Sequence, residues 1–119
     1  MVTQKVASVL AEMAPGDVQL FPVTVESRAE PYFLVNVART VKCIDDKASE
    51  EVRYWMSEDG QPERVGEYRV VAGMRIAPSQ VADAKVFRTW GWHIALIVRE
   101  EIRDALERMG ATGAKFTEV

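Results

Sequence analysis

The sequence has few of the residues on which most covalent and catalytic sites depend. Among 119 residues there is one cysteine, Cys43, and one histidine, His93. A single cysteine cannot close an internal disulfide and lacks the companions of a thiolate metal site, so we expect a reducing compartment. The sequence contains no phosphate-binding glycine loop, no HExxH pair and no dinucleotide glycine fingerprint. We therefore expect neither a cofactor nor catalytic activity.

Basic charge and long apolar runs are also scarce. The chain has 15 basic and 18 acidic residues, a net charge of -3 and a pI near 5.2, whereas a nucleic-acid binder needs a dense basic face. The longest apolar stretch, Ile94 to Val98, is too short to span a bilayer. Met1 to Met13 has Lys5 as its only base and does not resemble a signal peptide. We predict a cytoplasmic protein that contacts neither nucleic acid nor membrane.

The composition is that of an ordinary globular domain. Hydrophobic residues make up 48% of the chain and charged residues 28%, which is too apolar for a disordered segment. A length of 119 residues lies near the commonest domain size and leaves little room for a second core. We therefore predict a single domain spanning residues 1–119.

Two stretches carry apolar residues at spacings of three and four, the pattern of an amphipathic helix. Thr3 can cap the first stretch, and Ala14, Pro15 and Gly16 end it; Gly110 ends the second. The apolar positions are Val6, Val9, Leu10 and Met13 in the first stretch, and Ile102, Ala105, Leu106 and Met109 in the second.

Most of the remaining chain is rich in β-branched and aromatic residues, which favour strands. Pro22 indicates an edge strand because proline lacks a backbone donor, and Gly91 can reverse the chain between two strands. We predict an α+β fold, in which a mostly antiparallel sheet carries one N-terminal helix and one helix near the C-terminus. Tyr32 to Val37 and Val41 to Ile44 are predicted to be buried strands in the middle of the sheet. The other predicted extended segments are Asp17 to Ser27, Arg69 to Ile76, Lys85 to Trp90, Trp92 to Val98, and Ala114 to Val119.

The segment from Asp45 to Glu63 is acidic and irregular. Three interpretations are open: a solvated loop, a metal site, or a contact surface that attracts a basic protein. A calcium loop needs acids that alternate around a glycine, and that spacing is missing. The acidic residues are Asp45, Asp46, Glu50, Glu51, Glu58 and Asp59.

Trp55 and His93 each have both a structural and a functional interpretation. Trp55 is either a partly exposed anchor for a partner or, with Tyr54, a means of pinning the loop to the core. His93 lies among apolar residues, which favours a structural imidazole over a general base, a metal ligand or a nucleophilic pair with Cys43.

A set of short motifs in fixed order resembles a known family. The motifs are Val18-Gln19-Leu20-Phe21-Pro22-Val23, Tyr32-Phe33-Leu34-Val35-Asn36-Val37, Cys43-Ile44-Asp45 with Ser49, Val86-Phe87-Arg88, Ile97-Val98 before Glu100, Glu101 and Ile102, and Thr112-Gly113-Ala114-Lys115-Phe116. From about Asp17 to Val119 the chain is similar to an immunity-protein domain of myxobacterial and other proteobacterial polymorphic toxin systems, formerly a domain of unknown function. The resemblance implies that the protein binds a cognate toxin encoded by an adjacent gene, and it implies no catalytic residues.

Most motif positions have structural interpretations, so we place the predicted contact surface outside them. Phe21, Phe33, Val35 and Phe116 are expected in the core, Asn36 needs a hydrogen-bond partner, and Asp45 with Ser49 can cap the following turn. Two rival hypotheses are a general protein or peptide module that binds along the strand edge near Pro22, and an enzyme that uses His93. The predicted toxin-binding residues are Asp46, Glu50, Glu51, Trp55, Glu58 and Asp59.

Overall fold

The computed structural model describes residues 1–26, 30–111 and 113–119. These residues form two helices and eight strands, most of which pair antiparallel, so the predicted α+β class is confirmed. The chain divides into two compact units. Unit 1 comprises residues 1–39, 84–87 and 97–116, and unit 2 comprises residues 40–83, 88–96 and 117–119.

Unit 1 contains a three-stranded antiparallel sheet in the order β1-β3-β2. In β2 and β3 each residue lies opposite a partner, with Phe21 facing Leu34 and Gln19 facing Asn36. β3 is the central strand and β2 an edge strand, as the sequence predicted for Tyr32 to Val37 and for Pro22. The elements are β1 (Val2–Thr3), α1 (Gln4–Met13), β2 (Val18–Val23), β3 (Tyr32–Val37) and α2 (Glu100–Arg108).

The two helices form where the apolar spacing predicted them. Thr3 caps α1, because its Oγ1 accepts a hydrogen bond from the Val6 amide at 3.4 Å. Beyond α2, Gly110 adopts a left-handed φ of 72°, which glycine tolerates best. The apolar stripes of both helices contribute to one core cluster, whose buried members are Leu10, Ala14, Val18, Val86, Ile102 and Leu106.

A buried carboxylate organises the backbone at one place in unit 1. Asp17 is only 5% exposed. Its Oδ2 accepts hydrogen bonds from the amides of Lys85 at 2.7 Å and Val86 at 3.1 Å, and its Oδ1 lies 3.3 Å from Arg39 Nη1. These partners offset the cost of removing the carboxylate from water.

Unit 2 contains a β-hairpin and the first strand, in chain order, of a second sheet. β5 (Glu51–Tyr54) pairs antiparallel with β6 (Tyr68–Ala72), and its register shifts between Arg53 and Tyr54. The second sheet has the order β4-β7-β8, from strands β4 (Thr40–Val41), β7 (Val86–Thr89) and β8 (Trp92–Val98), and β4 runs parallel to β7. Gly91 turns the chain between β7 and β8 with a φ of 77°, as predicted.

Several sequence-based predictions of the sheet are wrong. The described strands form three sheets instead of one. Which strands share a sheet depends on pairing between segments that are distant in sequence, such as β4 with β7. β3 is not buried on both faces, since Leu34 is 50% exposed, and Phe21 is 49% exposed and lies outside the core. Of the strand predicted over Val41 to Ile44, only Val41 lies in a strand, the two-residue edge strand β4, and Ile44 makes an isolated bridge to Ile76.

The ends of other predicted strands also differ. The strand expected over Arg69 to Ile76 stops at Ala72, and residues 114–119 form no regular element. In the strand predicted from Asp17 to Ser27, Val23 is the last paired residue; Ser27 and the motif residue Thr112 lie outside the described residues.

Candidate functional site

The predicted binding residues fall in unit 2, mostly on the β5–β6 hairpin and its loop. We define the β5–β6 loop as residues 55–67. Its base is closed by two backbone hydrogen bonds between Trp55 and the other end of the loop, from the Trp55 amide to Glu67 at 2.9 Å and from the Gly66 amide to Trp55 at 3.3 Å. Two short 3-10 turns, Ser57–Asp59 and Pro62–Arg64, shape the chain between them. The segment from Asp45 to Glu63, which was predicted to be irregular, therefore contains strand β5 and the first part of an ordered hairpin loop.

Trp55 is half-buried and is held by two guanidinium groups. The Cζ atom of Arg64 lies 5.5 Å from the centroid of the Trp55 ring, and that of Arg69 lies 5.0 Å from it. A cation near an aromatic ring contributes about 0.5–1 kcal/mol at exposed sites. Trp55 is therefore held in place by neighbouring cations and remains partly accessible, and its role as an anchor for a partner stays a prediction.

Asp59 holds the first turn of the loop. Its side chain is 16% exposed and accepts a hydrogen bond from Arg69 Nη1 at 2.6 Å. The second carboxylate oxygen accepts from the Met56 amide at 2.9 Å. Arg69 therefore connects Asp59 to the Trp55 ring, and this predicted binding residue mainly orders the loop.

Asp46 also has a structural role. Its carboxylate accepts hydrogen bonds from the hydroxyls of Tyr54 and Tyr68, the latter at 2.6 Å. The two tyrosine rings stack with centroids 4.9 Å apart. Burial, and then the hydrogen bond to Asp46, raise the pKa of Tyr68 above its ordinary value. The cluster therefore fixes the base of the hairpin. The turn before it is held separately, because Asp45 accepts hydrogen bonds from the Lys47 and Ala48 amides.

Glu50, Glu51 and Glu58 are exposed to solvent, as is Asp46. Glu51 forms an ion pair with Arg53 at 2.7 Å, and such exposed pairs contribute little to stability. Glu58 accepts a hydrogen bond from the adjacent Ser57 hydroxyl at 3.4 Å. Glu50 packs its side chain over Gly73, where an added Cβ would lie 2.4 Å from Glu50 Cγ. All three present carboxylates at the surface of unit 2.

Sequence reasoning missed an apolar component of this surface. Met56 is 52% exposed and Val65 is 50% exposed, and both belong to the β5–β6 loop. Met56 directly follows Tyr54 and Trp55, and the three form a short apolar run within the acidic segment. Val65 is a single apolar residue in a polar run, which gives no periodic signal. Exposed apolar residues rimmed by charge are a feature of protein-binding surfaces.

The structure gives little support to a catalytic site. Cys43 is 2% exposed, and burial raises the pKa of its thiol, which disfavours the nucleophilic thiolate. His93 is exposed, and Arg88 donates a hydrogen bond to its backbone carbonyl at 3.3 Å. Among the residues described, no cluster of three His, Cys, Asp or Glu side chains could hold a metal ion. Over the same residues, no helix is long and apolar enough to cross a membrane.

Asn36 and Gln19 lie on a second exposed surface, the outer face of the β2–β3 pair in unit 1. The Asn36 amide donates to Gln19 Oε1 at 2.7 Å, so the partner expected for Asn36 is a cross-strand side chain. The neighbouring pair on this face is Phe21 and Leu34, both about half-exposed. This face is less charged than the β5–β6 loop.

The chain matches the model of a known protein family. The model of the immunity protein family (Imm11) matches residues 1–119, which extends the sequence resemblance over α1. No curated protein matches the chain significantly.

Proposed function

The chain belongs to the immunity protein family Imm11, and from this membership we propose that it neutralises a cognate bacterial toxin by binding it directly, without catalysis. One observation supports the place where the toxin binds: in the β5–β6 loop, half-exposed apolar side chains lie beside exposed carboxylates. Among the described residues, neither Cys43 nor His93 belongs to a recognisable catalytic site. In this proposal the toxin is blocked by binding energy alone.

The contact surface that we propose combines apolar anchors with acidic neighbours. Trp55, Met56 and Val65 provide the apolar contact area, because tryptophan and other large side chains at the centre of an interface contribute most of the binding energy. Glu50, Glu51 and Glu58 add negative charge that accelerates encounter with a basic toxin surface and disfavours acidic partners.

Asp46 and Asp59 act indirectly in this proposal. Both carboxylates are engaged by groups of unit 2, Asp46 by two tyrosine hydroxyls and Asp59 by Arg69 and a backbone amide. They hold the loop in one conformation before the toxin arrives, and a preorganised loop loses less entropy on binding. Their substitution would weaken binding through loss of loop order.

We place the toxin gene beside the gene for this protein and the protective action in the cytoplasm of the producing cell. The adjacent toxin-like reading frame is therefore the partner to test. Its expression alone should arrest growth, and co-expression with this protein should restore it. Growth arrest that persists despite equal amounts of folded protein would contradict the proposal.

Two variants distinguish binding from catalysis in the same assay. His93→Ala should protect as well as the natural sequence, because His93 has no role in the proposed contact. Met56→Asp should lose protection while retaining the fold, since Met56 is 52% exposed. Protection that fails with His93→Ala and survives Met56→Asp would favour the enzymatic rival.

A second candidate function is a general peptide-binding module, which the exposed Phe21 and Leu34 pair favours. β2 is an edge strand, so an extended peptide could add beside it, although Pro22 removes one donor. This function predicts binding of unrelated extended peptides that Phe21→Asp abolishes. A toxin-specific protein would bind no such peptide and would keep its protective activity in Phe21→Asp.

A further inference from the structure

β8 is an outer strand whose own residues include no proline and no ionic side chain of the kind that usually protects a sheet edge, although Arg88 from the neighbouring strand donates to its His93 carbonyl at 3.3 Å. Among the described strands, the sheet order β4-β7-β8 leaves one side of β8 without a neighbour. Natural edges are commonly guarded by proline or by charged side chains, because their free N–H and C=O groups can pair with another chain. Edge strand β2 contains Pro22, and β5 contains Glu51 and Arg53. From Trp92 to Val98, β8 has no proline, glycine, Asp, Glu, Lys or Arg.

The same strand exposes aliphatic side chains. Ile94 is 77% exposed, the highest value among the large apolar residues of the described chain, and Leu96 is 50% exposed. The two are two positions apart, so both side chains project from the same face of the strand. Among the described strands, only β8 combines an open edge, no proline or ionic residue, and two aliphatic side chains that are at least half-exposed.

We propose that a second copy of this chain pairs with β8 in antiparallel orientation, so that the two sheets join across a two-fold axis. A register centred on Ala95 aligns all seven residues of the strand, from Trp92 to Val98, with those of its copy. Ile94 then lies opposite Leu96 of the partner subunit and Leu96 opposite Ile94 of the partner subunit. Four aliphatic side chains meet on one face of the joined sheet.

The self-pairing is chemically complementary as well as geometrically possible. A two-fold contact places identical surfaces together, so any charge on the strand would meet charge of the same sign. β8 itself contains no acidic or basic residue besides His93, and in the Ala95 register the two His93 carbonyls, each bound by its own Arg88, lie towards opposite ends of the pair. In the Ala95 register His93 faces Ile97 of the partner subunit, which keeps the two imidazoles apart. A single strand pair is smaller than a standard interface, so the dimer should be concentration-dependent.

Sedimentation over a range of concentrations tests the proposal without any toxin. The apparent mass should rise from 13.4 kDa toward twice that value as concentration increases. Ile94→Lys and Leu96→Lys should each weaken dimerisation at least tenfold, because each introduces like charges into the paired edge. Leu34→Lys is the matched control, since Leu34 is also 50% exposed but lies on another sheet, and it should dimerise normally. A natural chain that stays monomeric, or lysine variants at 94 and 96 that dimerise normally, would overturn the proposal.

Cross-linking tests the register and does not depend on the lysine variants being folded. Residues directly opposite in an antiparallel pair have Cα atoms about 4.5–5.5 Å apart, within the range that a disulfide spans. Ala95→Cys should therefore form an intermolecular disulfide under mild oxidation, whereas the exposed control Ala38→Cys should not. Native Cys43 is 2% exposed and should not compete. Equal cross-linking at both positions, or none at position 95, would contradict the Ala95-centred pairing. Loss of the dimer with intact protection against the toxin would leave the proposed function unaffected.

Discussion

The two units of the chain are stabilised in different ways. Unit 1 has an apolar core cluster to which both helices contribute, and its buried carboxylate Asp17 accepts two backbone hydrogen bonds. In unit 2, the hairpin is organised by polar and aromatic groups: Asp46 with two tyrosines, and Asp59 with Arg69 beside Trp55. Burial of apolar area dominates stability, whereas ordered polar loops provide specific contacts. From this difference we propose that unit 1 mainly provides stability and unit 2 provides recognition.

The largest expected effect is the loss of core packing in unit 1. Ile102 is 0% exposed, so Ile102→Ala should lower the free energy of unfolding by about 2–5 kcal/mol. Ile94→Ala makes the same chemical change at a residue of unit 2 that is 77% exposed, and its effect should stay within about 0.5 kcal/mol. Urea unfolding at a concentration that keeps the protein monomeric measures both. Equal losses would remove the distinction between the two sites.

A matched pair of carboxylates gives an intermediate effect. Asp17→Ala leaves the Lys85 and Val86 amides without their acceptor and should cost about 3 kcal/mol, since each unsatisfied buried donor costs about 1–3 kcal/mol. Asp46→Ala frees tyrosine hydroxyls at a more solvent-accessible place and should cost about 1 kcal/mol. Chemical denaturation of the two variants ranks them. A larger loss with Asp46→Ala would reverse the comparison.

The smallest effect is a loss of stability at alkaline pH. The folded state holds the Tyr68 proton more tightly than the unfolded chain, whose tyrosine pKa is 10.0. The contribution of Tyr68 is therefore complete below about pH 10 and declines as the pH rises above that value. Between pH 9 and 11 the natural chain should lose more stability than Tyr68→Phe, as measured by urea unfolding at each pH. Parallel pH profiles would show that Tyr68 is not the group responsible.

The sequence predicted the local features of the molecule better than the non-local ones. The stripe of Ile102 and Leu106 reports a helix face directly, because its spacing lies within one element. Division into three sheets was not predictable in the same way, since Thr40 pairs with Arg88, which is distant in sequence. Leu34 looked buried for a similar reason: an apolar strand does not reveal which of its faces is covered.

The candidate site shows the same limit at the level of side chains. Composition identified the acidic stretch and Trp55, but it did not reveal that Asp46 binds tyrosine hydroxyls or that Asp59 binds Arg69. Those partners lie on neighbouring strands and carry no motif. Val65 was missed because one apolar residue in a polar loop has no spacing to recognise.

Titration calorimetry with the toxin encoded beside this gene tests the central claim most directly. The paired substitution Met56→Ala with Val65→Ala removes two half-exposed side chains from the β5–β6 loop, and Leu34→Ala removes a side chain of equal exposure from unit 1. We predict that the loop variant raises Kd at least tenfold, about 1.4 kcal/mol, while Leu34→Ala leaves Kd unchanged. An unchanged Kd for the loop variant, in a folded protein that still binds the toxin, would contradict recognition through unit 2.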